Sequence, residues 1–534
     1  MRALRCAPLA ISIVLLVACG SSSSDDAAPA ATAGGAGGGS AGAGGSVAGA
    51  GGSSAGAGGS VAGAGGNGGS PAGAGGAGGA TAGAGGATAG AGGASTCACV
   101  AGSSKACSEL GKLYAADGKQ ATCKADCSAW DVAACTTEAT GTKQEYVYPG
   151  LRDPRFAGAK CNDGSPFWFR VSLTGSRRWV VSFEGGGACD GATIPCQPRY
   201  AAAPPLFSSK NDPKDGTVAP WKEPGSGGIV SRSKTLNPTF ADANMVSGNY
   251  CSSDLWTGTA TTAVKGDIPF DLLFAGRLNA RAMVQTLIER YGLDDAKDLD
   301  IIVTGQSAGG NGARNNADLF ADAFPKAKAA SRLWLLPSAG FQLYDWSRPG
   351  AGVMGSDLPD PESWKLIFPR WSAEANAKCT AMVAAEGLDV SACLTGLYST
   401  RSMVRAEPQG YGLRVLDATN RADPVYLKYH MVGPALPTFD AIVDQWEPIA
   451  TKEMLDSELR WMFSPAHRGE PNLHGVFDVW ASPLVPAYDA SKDPCKSPWP
   501  ASIKTFRDLV DAWYADKSPA TSGIKVCLPD GWPE

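Results

Sequence analysis

The sequence predicts an α/β protein whose main domain is a mostly parallel sheet covered by helices, and three observations carry that prediction. From about residue 144 onward, short apolar runs such as Trp179-Val180-Val181-Ser182-Phe183 and the stretch from Leu299 to Thr304 alternate with longer helix-like segments. Between those two runs, Ala280, Met283, Val284, Leu287, Ile288 and Tyr291 recur on one helical face, and Gly292 follows as a C-terminal cap. The second run then breaks into Gly305-Gln306-Ser307-Ala308-Gly309 and leads into a polar, helix-like segment, the grammar of a strand, a sharp turn and a helix.

The chain has 534 residues, but its glycine and alanine are concentrated near the N-terminus. Residues 1–18 read as a signal peptide: Arg2 and Arg5 supply positive charge, and the run from Leu9 to Val17 is apolar but too short to span a bilayer. Leu16-Val17-Ala18-Cys19 resembles a bacterial lipobox, which makes Cys19 the expected lipidated N-terminus; cleavage and plain secretion is the alternative. Residues 19–95 are almost wholly Gly, Ala and Ser, a composition that buries too little apolar surface to offset chain entropy, so a disordered tether is expected. A random coil of roughly 75 such residues spans about 45 to 50 Å.

Of sixteen cysteines, setting aside Cys6 and Cys19 leaves an even fourteen, which in an exported chain favours disulfides. Cys97, Cys99, Cys107, Cys123, Cys127 and Cys135 crowd into residues 96–140 with few large apolar side chains, so this segment is expected to be a small module held by cross-links. A zinc knuckle is the competing reading, weakened by the lack of an accompanying His. Residues 144–534 form the main domain.

Spacing alone proves little about Ser307, because Gly38-Gly39-Ser40-Ala41-Gly42 and Gly52-Ser53-Ser54-Ala55-Gly56 match the same pentapeptide inside the tether. Context separates them: only Ser307 sits between a strand and a helix, where a tight turn lifts a hydroxyl clear of a sheet as a nucleophile. After it, the stretch from Ala313 to Ala323 holds good helix formers, and Leu333-Trp334-Leu335-Leu336 reads as a further strand. Upstream, Phe183 leads into Glu184-Gly185-Gly186-Gly187, a glycine run at a strand end whose backbone N–H groups can converge on a developing oxyanion. A plain tight turn is the alternative for that run taken alone.

A base must come from His430, His467 or His474, the three histidines of the chain, and all follow Ser307, as in the Ser, acid, His order of α/β-hydrolases. His474 is preferred because Val476-Phe477 can anchor its backbone; His467 is the alternative, and His430 falls in an expected strand beginning Pro424-Val425. The orienting acid should lie past a strand between Ser307 and that His, which favours Asp440 with Asp444 in reserve.

Several blocks are similar to the pectin acetylesterase and Notum family of α/β-hydrolase-like carboxylesterases. They are Cys161-Asn162-Asp163-Gly164-Ser165-Pro166, the strand into Glu184-Gly185-Gly186-Gly187, Asp242-Ala243-Asn244-Met245-Val246, Tyr250-Cys251-Ser252-Ser253-Asp254-Leu255-Trp256-Thr257-Gly258, and Gly305 to Gly310. The resemblance implies Ser307 as nucleophile, the N–H groups of Gly186, Gly187 and Ala308 as oxyanion hole, and Phe439-Asp440 as the source of the acid. It also implies a disulfide between Cys379 and Cys393, and places Cys189 and Cys251 in Cys-bearing motifs. Two departures stand out: the gap between Pro424-Val425 and Asp440 is long, and Phe463-Ser464-Pro465-Ala466 runs directly into His467 without the family's usual Cys.

The expected activity is therefore acyl-ester hydrolysis through an acyl-enzyme, on acetylated polysaccharide or a small acyl ester, with Notum-like long-chain deacylation as the rival. A surface binding or adhesion lipoprotein on a hydrolase scaffold is the non-enzymatic alternative. No cofactor or metal is expected, and a formal net charge of -5 offers no basic footprint for nucleic acid. Lipid at Cys19 would be the membrane attachment of an extracytoplasmic protein.

Overall fold

The computed structural model describes residues 101–106, 120–125, 130–131, 143–224, 227–344, 361–425, 439–465, 473–481 and 505–516. The expected leader, Cys19, the tether and most of the Cys-rich module lie outside them, as do His430 and His467. Within the module, β1 (Ser104–Ala106), β2 (Gln120–Cys123) and β3 (Trp130–Asp131) form a small antiparallel sheet, with Ser104 opposite Thr122 and Cys123 opposite Trp130.

The main domain is built on a sheet of nine strands among the described residues. In chain order they are β4 (Lys143–Val147), β5 (Phe169–Ser172), β6 (Arg178–Phe183), β7 (Val218–Pro220), β8 (Asn244–Gly248), β9 (Asp300–Gln306), β10 (Leu333–Ser338), β11 (Arg414–Ala418) and β12 (Trp461–Phe463). In space the order is β12-β11-β10-β9-β6-β8-β5-β4-β7. The pairings from β12 through β8 are parallel, and those joining β8 to β5, β5 to β4 and β4 to β7 are antiparallel. The expected mostly parallel sheet is present.

Its central strands read as unbroken apolar runs because both faces are covered. Trp179, Val181, Ile301, Val303, Leu333 and Leu335 point into one core, while Val180, Ile302, Trp334 and Leu336 point into the other. The first face is covered by the helix Gly276–Tyr291, which buries Ala280, Met283, Val284, Leu287 and Tyr291 and ends on Gly292 in the left-handed conformation, as its periodicity and cap predict. The second is covered by the helix Phe506–Ala515, which buries Phe506, Leu509, Val510 and Trp513 behind a Thr505–Asp508 capping box.

Two local expectations are revised. The helix after Ser307 starts at Ala308, runs to Asn315, and breaks at Asn316 before a second helix, Ala317–Ala323. The strand expected from Pro424 is absent at its start, since residues 424 and 425 are helical, and β11 lies earlier, at Arg414–Ala418. Two buried charges masked that strand in the sequence. Asp417 pairs with Arg314 of the helix Ala308–Asn315, both 1% exposed, while Arg414 lies over the Trp334 ring.

Disulfides join Cys161 to Cys251, Cys189 to Cys196 and Cys379 to Cys393, the last as the family resemblance implies. Such bridges persist in oxidising compartments.

Burial pushes the Asp417 carboxyl above its usual value, and the Arg314 guanidinium only partly restores the charged form. Removing one partner of such a pair leaves a buried ion uncompensated, so Asp417→Ala should lower stability by about 3–5 kcal/mol. Replacing both residues together, Arg314→Met with Asp417→Leu, should cost less than Asp417→Ala alone. Denaturant midpoints of the three proteins check this, and equal losses would contradict it.

Candidate active site

Four chain segments end at the same edge of the sheet, the carboxyl ends of its parallel strands, which is where open α/β sheets place their chemistry. β9 ends at Gln306, and Ser307 follows with φ 60° and ψ −128°, a conformation that non-glycine residues rarely adopt. The Ser307 N–H donates to the Ser338 carbonyl at the end of β10 at 2.9 Å, fixing the turn to its neighbouring strand. The following helix packs so closely that a Cβ on Gly309 would lie 2.0 Å from the Phe183 carbonyl oxygen. Ser307 itself is partly exposed on this elbow.

β6 is the parallel neighbour of β9, with Phe183 in register with Gly305, so its glycine run emerges beside the elbow. A Cβ on Gly185 would sit 3.1 Å from Ser307 Cβ. Gly186 has φ +145° and Gly187 φ +74°, both in the region that only glycine enters without strain. The run is held from behind: the Glu184 N–H donates to the Gly248 carbonyl at 3.1 Å, and the Trp256 indole donates to the Glu184 carbonyl at 3.1 Å. Among the described residues, the N–H groups of Gly186, Gly187 and Ala308 appear in no backbone hydrogen bond, and Ala308 opens a helix, where the first N–H groups have no internal partner.

The third and fourth segments bring an acid to a histidine. His474 Nδ1 lies 2.8 Å from Asp423 Oδ2 and 3.0 Å from Oδ1. Asp423 is fully buried and the imidazole 24% exposed. A carboxylate can only accept, so Nδ1 carries a proton, and in the neutral ring the lone pair is on Nε2. Asp423 therefore occupies the place the sequence assigned to Asp440 or Asp444. Asp440 stands instead on the first turn of the helix Phe439–Asp456, and Asp444 is exposed on that helix, lining an open groove with Arg421 and Glu447. His467, the alternative base, lies outside the described residues.

Asn420 sets the acid–histidine register. Its amide donates to the Leu473 carbonyl at 3.0 Å, and its own carbonyl accepts from the Ala422 N–H at 2.9 Å, gripping the turn that carries Asp423 and the residue before His474 together. Thr419 and Arg421 donate backbone N–H groups to Phe463 and Pro465, which ties the turn after β11 to the chain leaving β12. On the other side of His474, a Cβ on Gly475 would lie 1.9 Å from the Gln306 side-chain amide. The residue after the histidine thus rests on the residue before the serine, with room for neither to move closer. A partial signal for Asp423 existed in the sequence: the Asn and Asp of Thr419-Asn420-Arg421-Ala422-Asp423-Pro424 mark a turn, but the strand before it carries Arg414 and Asp417 and does not read as an apolar run.

With the elbow, the glycine run and the acid–histidine pair in place, the site can be set beside known proteins. The family model for pectinacetylesterase matches residues 143–347, which hold Ser307 and the glycine run. That stretch belongs to the pectinacetylesterase family. The chain is also similar to the human palmitoleoyl-protein carboxylesterase Notum, 36% identical over 167 residues, or 31% of this chain and 30% of that one. It is 39% identical to notum1 of Xenopus laevis over 163 residues, 30% of each chain. The matches span about 30% of the length of these relatives. A solved structure of the Drosophila Wnt deacylase Notum aligns over 60% of this chain and 84% of its own, at 22% identity and a TM-score of 0.47.

In this pectinacetylesterase-family domain the loop Tyr250 to Gly258 forms the wall behind the glycine run. Ser253, Leu255 and Trp256 all have positive φ, and one carboxylate organises them. Asp254 accepts from Ser252 Oγ at 2.7 Å and from the N–H groups of Trp256 at 3.0 Å, Gly258 at 3.1 Å and Gly276 at 2.7 Å. Burial nevertheless dominates, and its pKa is pushed up to about 6. The unfolded chain releases this proton near pH 4. Between about pH 4 and 6 the folded state then holds a proton the unfolded state has lost, so the Asp254 contribution to stability falls as pH rises through that window. The difference in Tm between wild type and Asp254→Asn should accordingly shift against the wild type on going from pH 4 to pH 7. A difference that stays level, or moves in the wild type's favour, would refute it.

Proposed function

We propose that the chain is an extracytoplasmic serine carboxylic-ester hydrolase, with Ser307 as nucleophile, His474 as general base and Asp423 as the orienting acid. The observation that carries this reading is the His474–Asp423 pair, held at the strand edge where Gln306 of the elbow touches Gly475.

Ser307 Oγ attacks the ester carbonyl while His474 Nε2 takes its proton. Asp423 keeps the ring in the tautomer whose Nε2 carries no proton and stabilises the imidazolium as it forms. Negative charge on the carbonyl oxygen is received by the N–H groups of Gly186, Gly187 and Ala308; removing one such donor typically costs on the order of 10²–10³ in kcat. Collapse expels the alcohol, which takes the proton from His474, and water then repeats the sequence on the acyl-enzyme to release the acid.

The substrate we favour is an O-acetyl ester, on polysaccharide or a small molecule, in line with the pectinacetylesterase match. A long-chain acyl ester is the second reading, favoured by the likeness to palmitoleoyl-protein carboxylesterases. Export, lipid attachment at Cys19 and the tether of residues 19–95 would display the enzyme away from a membrane surface, and the disulfides suit that setting.

Purified protein should hydrolyse p-nitrophenyl acetate faster than a long-chain homologue, and Ser307→Ala should abolish both activities. Asp423→Asn should lower kcat on the order of 10³–10⁴-fold by trapping the wrong tautomer, whereas Asp440→Asn should stay close to wild type. Loss of activity in Asp440→Asn with Asp423→Asn spared would reverse the acid assignment. A preference for the long-chain ester would move the substrate to the second reading, and equal rates for wild type and Ser307→Ala would leave a binding protein on a hydrolase scaffold.

A further inference from the structure

The mechanism leaves one cation beside the glycine run unexplained. Arg199 stands on the short helix Gln197–Ala202 and is half-buried. Its Nε donates to the Gly186 carbonyl, its Nη1 donates to Ser253 Oγ at 2.5 Å, and Nη2 reaches the Leu206 carbonyl at 3.4 Å. The guanidinium carbon lies 4.4 Å from the centre of the Phe207 ring and 5.7 Å from that of Tyr250, so two aromatic faces hold the plane in place. Ser253 in turn donates to Asn162 Oδ1. The disulfide between Cys189 and Cys196 joins the end of the glycine run to the residue that precedes the Arg199 helix.

We propose that Arg199 is a positioning residue for the oxyanion hole: by binding the Gly186 carbonyl it sets the plane of the Gly186–Gly187 peptide and so aims the Gly187 N–H. The inference rests on the reading of that N–H as an oxyanion donor. In a trans peptide the C=O and the next N–H point in opposite directions, so a cation that fixes the oxygen on one side fixes the hydrogen on the other. Fixing is needed because two consecutive glycines with positive φ have no side chain to restrain them, and their backbone samples both hands freely. A charge-assisted bond also draws electron density from the peptide, which makes its N–H a stronger donor to an oxyanion.

Arg199 touches no reacting atom in this scheme, and its effect should show in the tetrahedral state more than in substrate binding. The test compares the full chain with its Arg199→Gln, Arg199→Lys and Ser307→Ala variants, counting active serines by titration with a fluorophosphonate so that any misfolded fraction drops out. Per titrated serine, Arg199→Gln should lose on the order of 10²-fold in kcat on p-nitrophenyl acetate with little change in KM. Its affinity for an alkyl boronic acid, which forms a tetrahedral anion on the serine, should fall in the same proportion. Arg199→Lys, which keeps the charge and the stem along Phe207 but lacks the planar fork that reaches all three acceptors at once, should recover part of both losses, and it decides the matter if Arg199→Gln does not fold. The proposal is overturned if kcat per serine stays within about twofold of wild type, if only KM moves, or if boronate affinity is unaffected. Wild-type activity no greater than that of Ser307→Ala overturns the esterase reading itself, and this proposal with it.

Discussion

The site depends on how closely the helix Ala308–Asn315 lies against the sheet. Its second residue, Gly309, leaves no space for a methyl group between the helix and the carbonyl of Phe183. From the far end of the same helix, Arg314 reaches Asp417 on β11 and the Gly340 carbonyl at 2.7 Å. The elbow is therefore pinned at one end to the strand that launches the glycine run and at the other to the strand that launches Asp423. A buried ion pair adds little net stability relative to apolar packing, but it has one satisfactory geometry, and here that geometry fixes the helix against β11.

Parallel strands make this economy possible. Because β6, β9, β10, β11 and β12 run in one direction, their chain exits fall on one edge, and register along the ladder translates directly into proximity at that edge. Phe183 beside Gly305 places Gly185 beside Ser307, and Ala418 beside Phe463 allows Thr419 to bond back to Phe463. The antiparallel strands β5, β4 and β7 extend the sheet on the side away from β11 and β12, where the acid–histidine pair is held.

What the sequence disclosed follows from which of these features leave a local trace. Strands buried on both faces are continuous apolar runs, and the helix Gly276–Tyr291 carries its periodicity and its capping glycine, so both could be read. His474 was legible because Leu473, Val476 and Phe477 enter the second core and so look apolar around it. Asp423 was not, because β11 carries Arg414 and Asp417, whose charges are compensated by partners far away in sequence, and it looked less like a strand than Pro424-Val425-Tyr426 did. The pairing of β10 with β11 and the grip of Asn420 on Leu473 are long-range facts with no local signature. The resemblance pointed to Phe439-Asp440, and the unusual length of the gap before it was the visible sign that a turn nearer to β11 deserved notice.

Asn420 has a consequence for how such a domain can diversify. One carboxamide clamps the turn of Asp423 directly to the peptide preceding His474, so the place of the imidazole is set by a few contacts, from Asn420, Phe463 and Pro465, rather than by every residue between the two. The part of the intervening chain that makes none of these contacts, which includes the helix Phe439–Asp456, can vary in length or composition while Asp423 and His474 stay paired. Selection is thereby free to reshape that stretch without disturbing the pair.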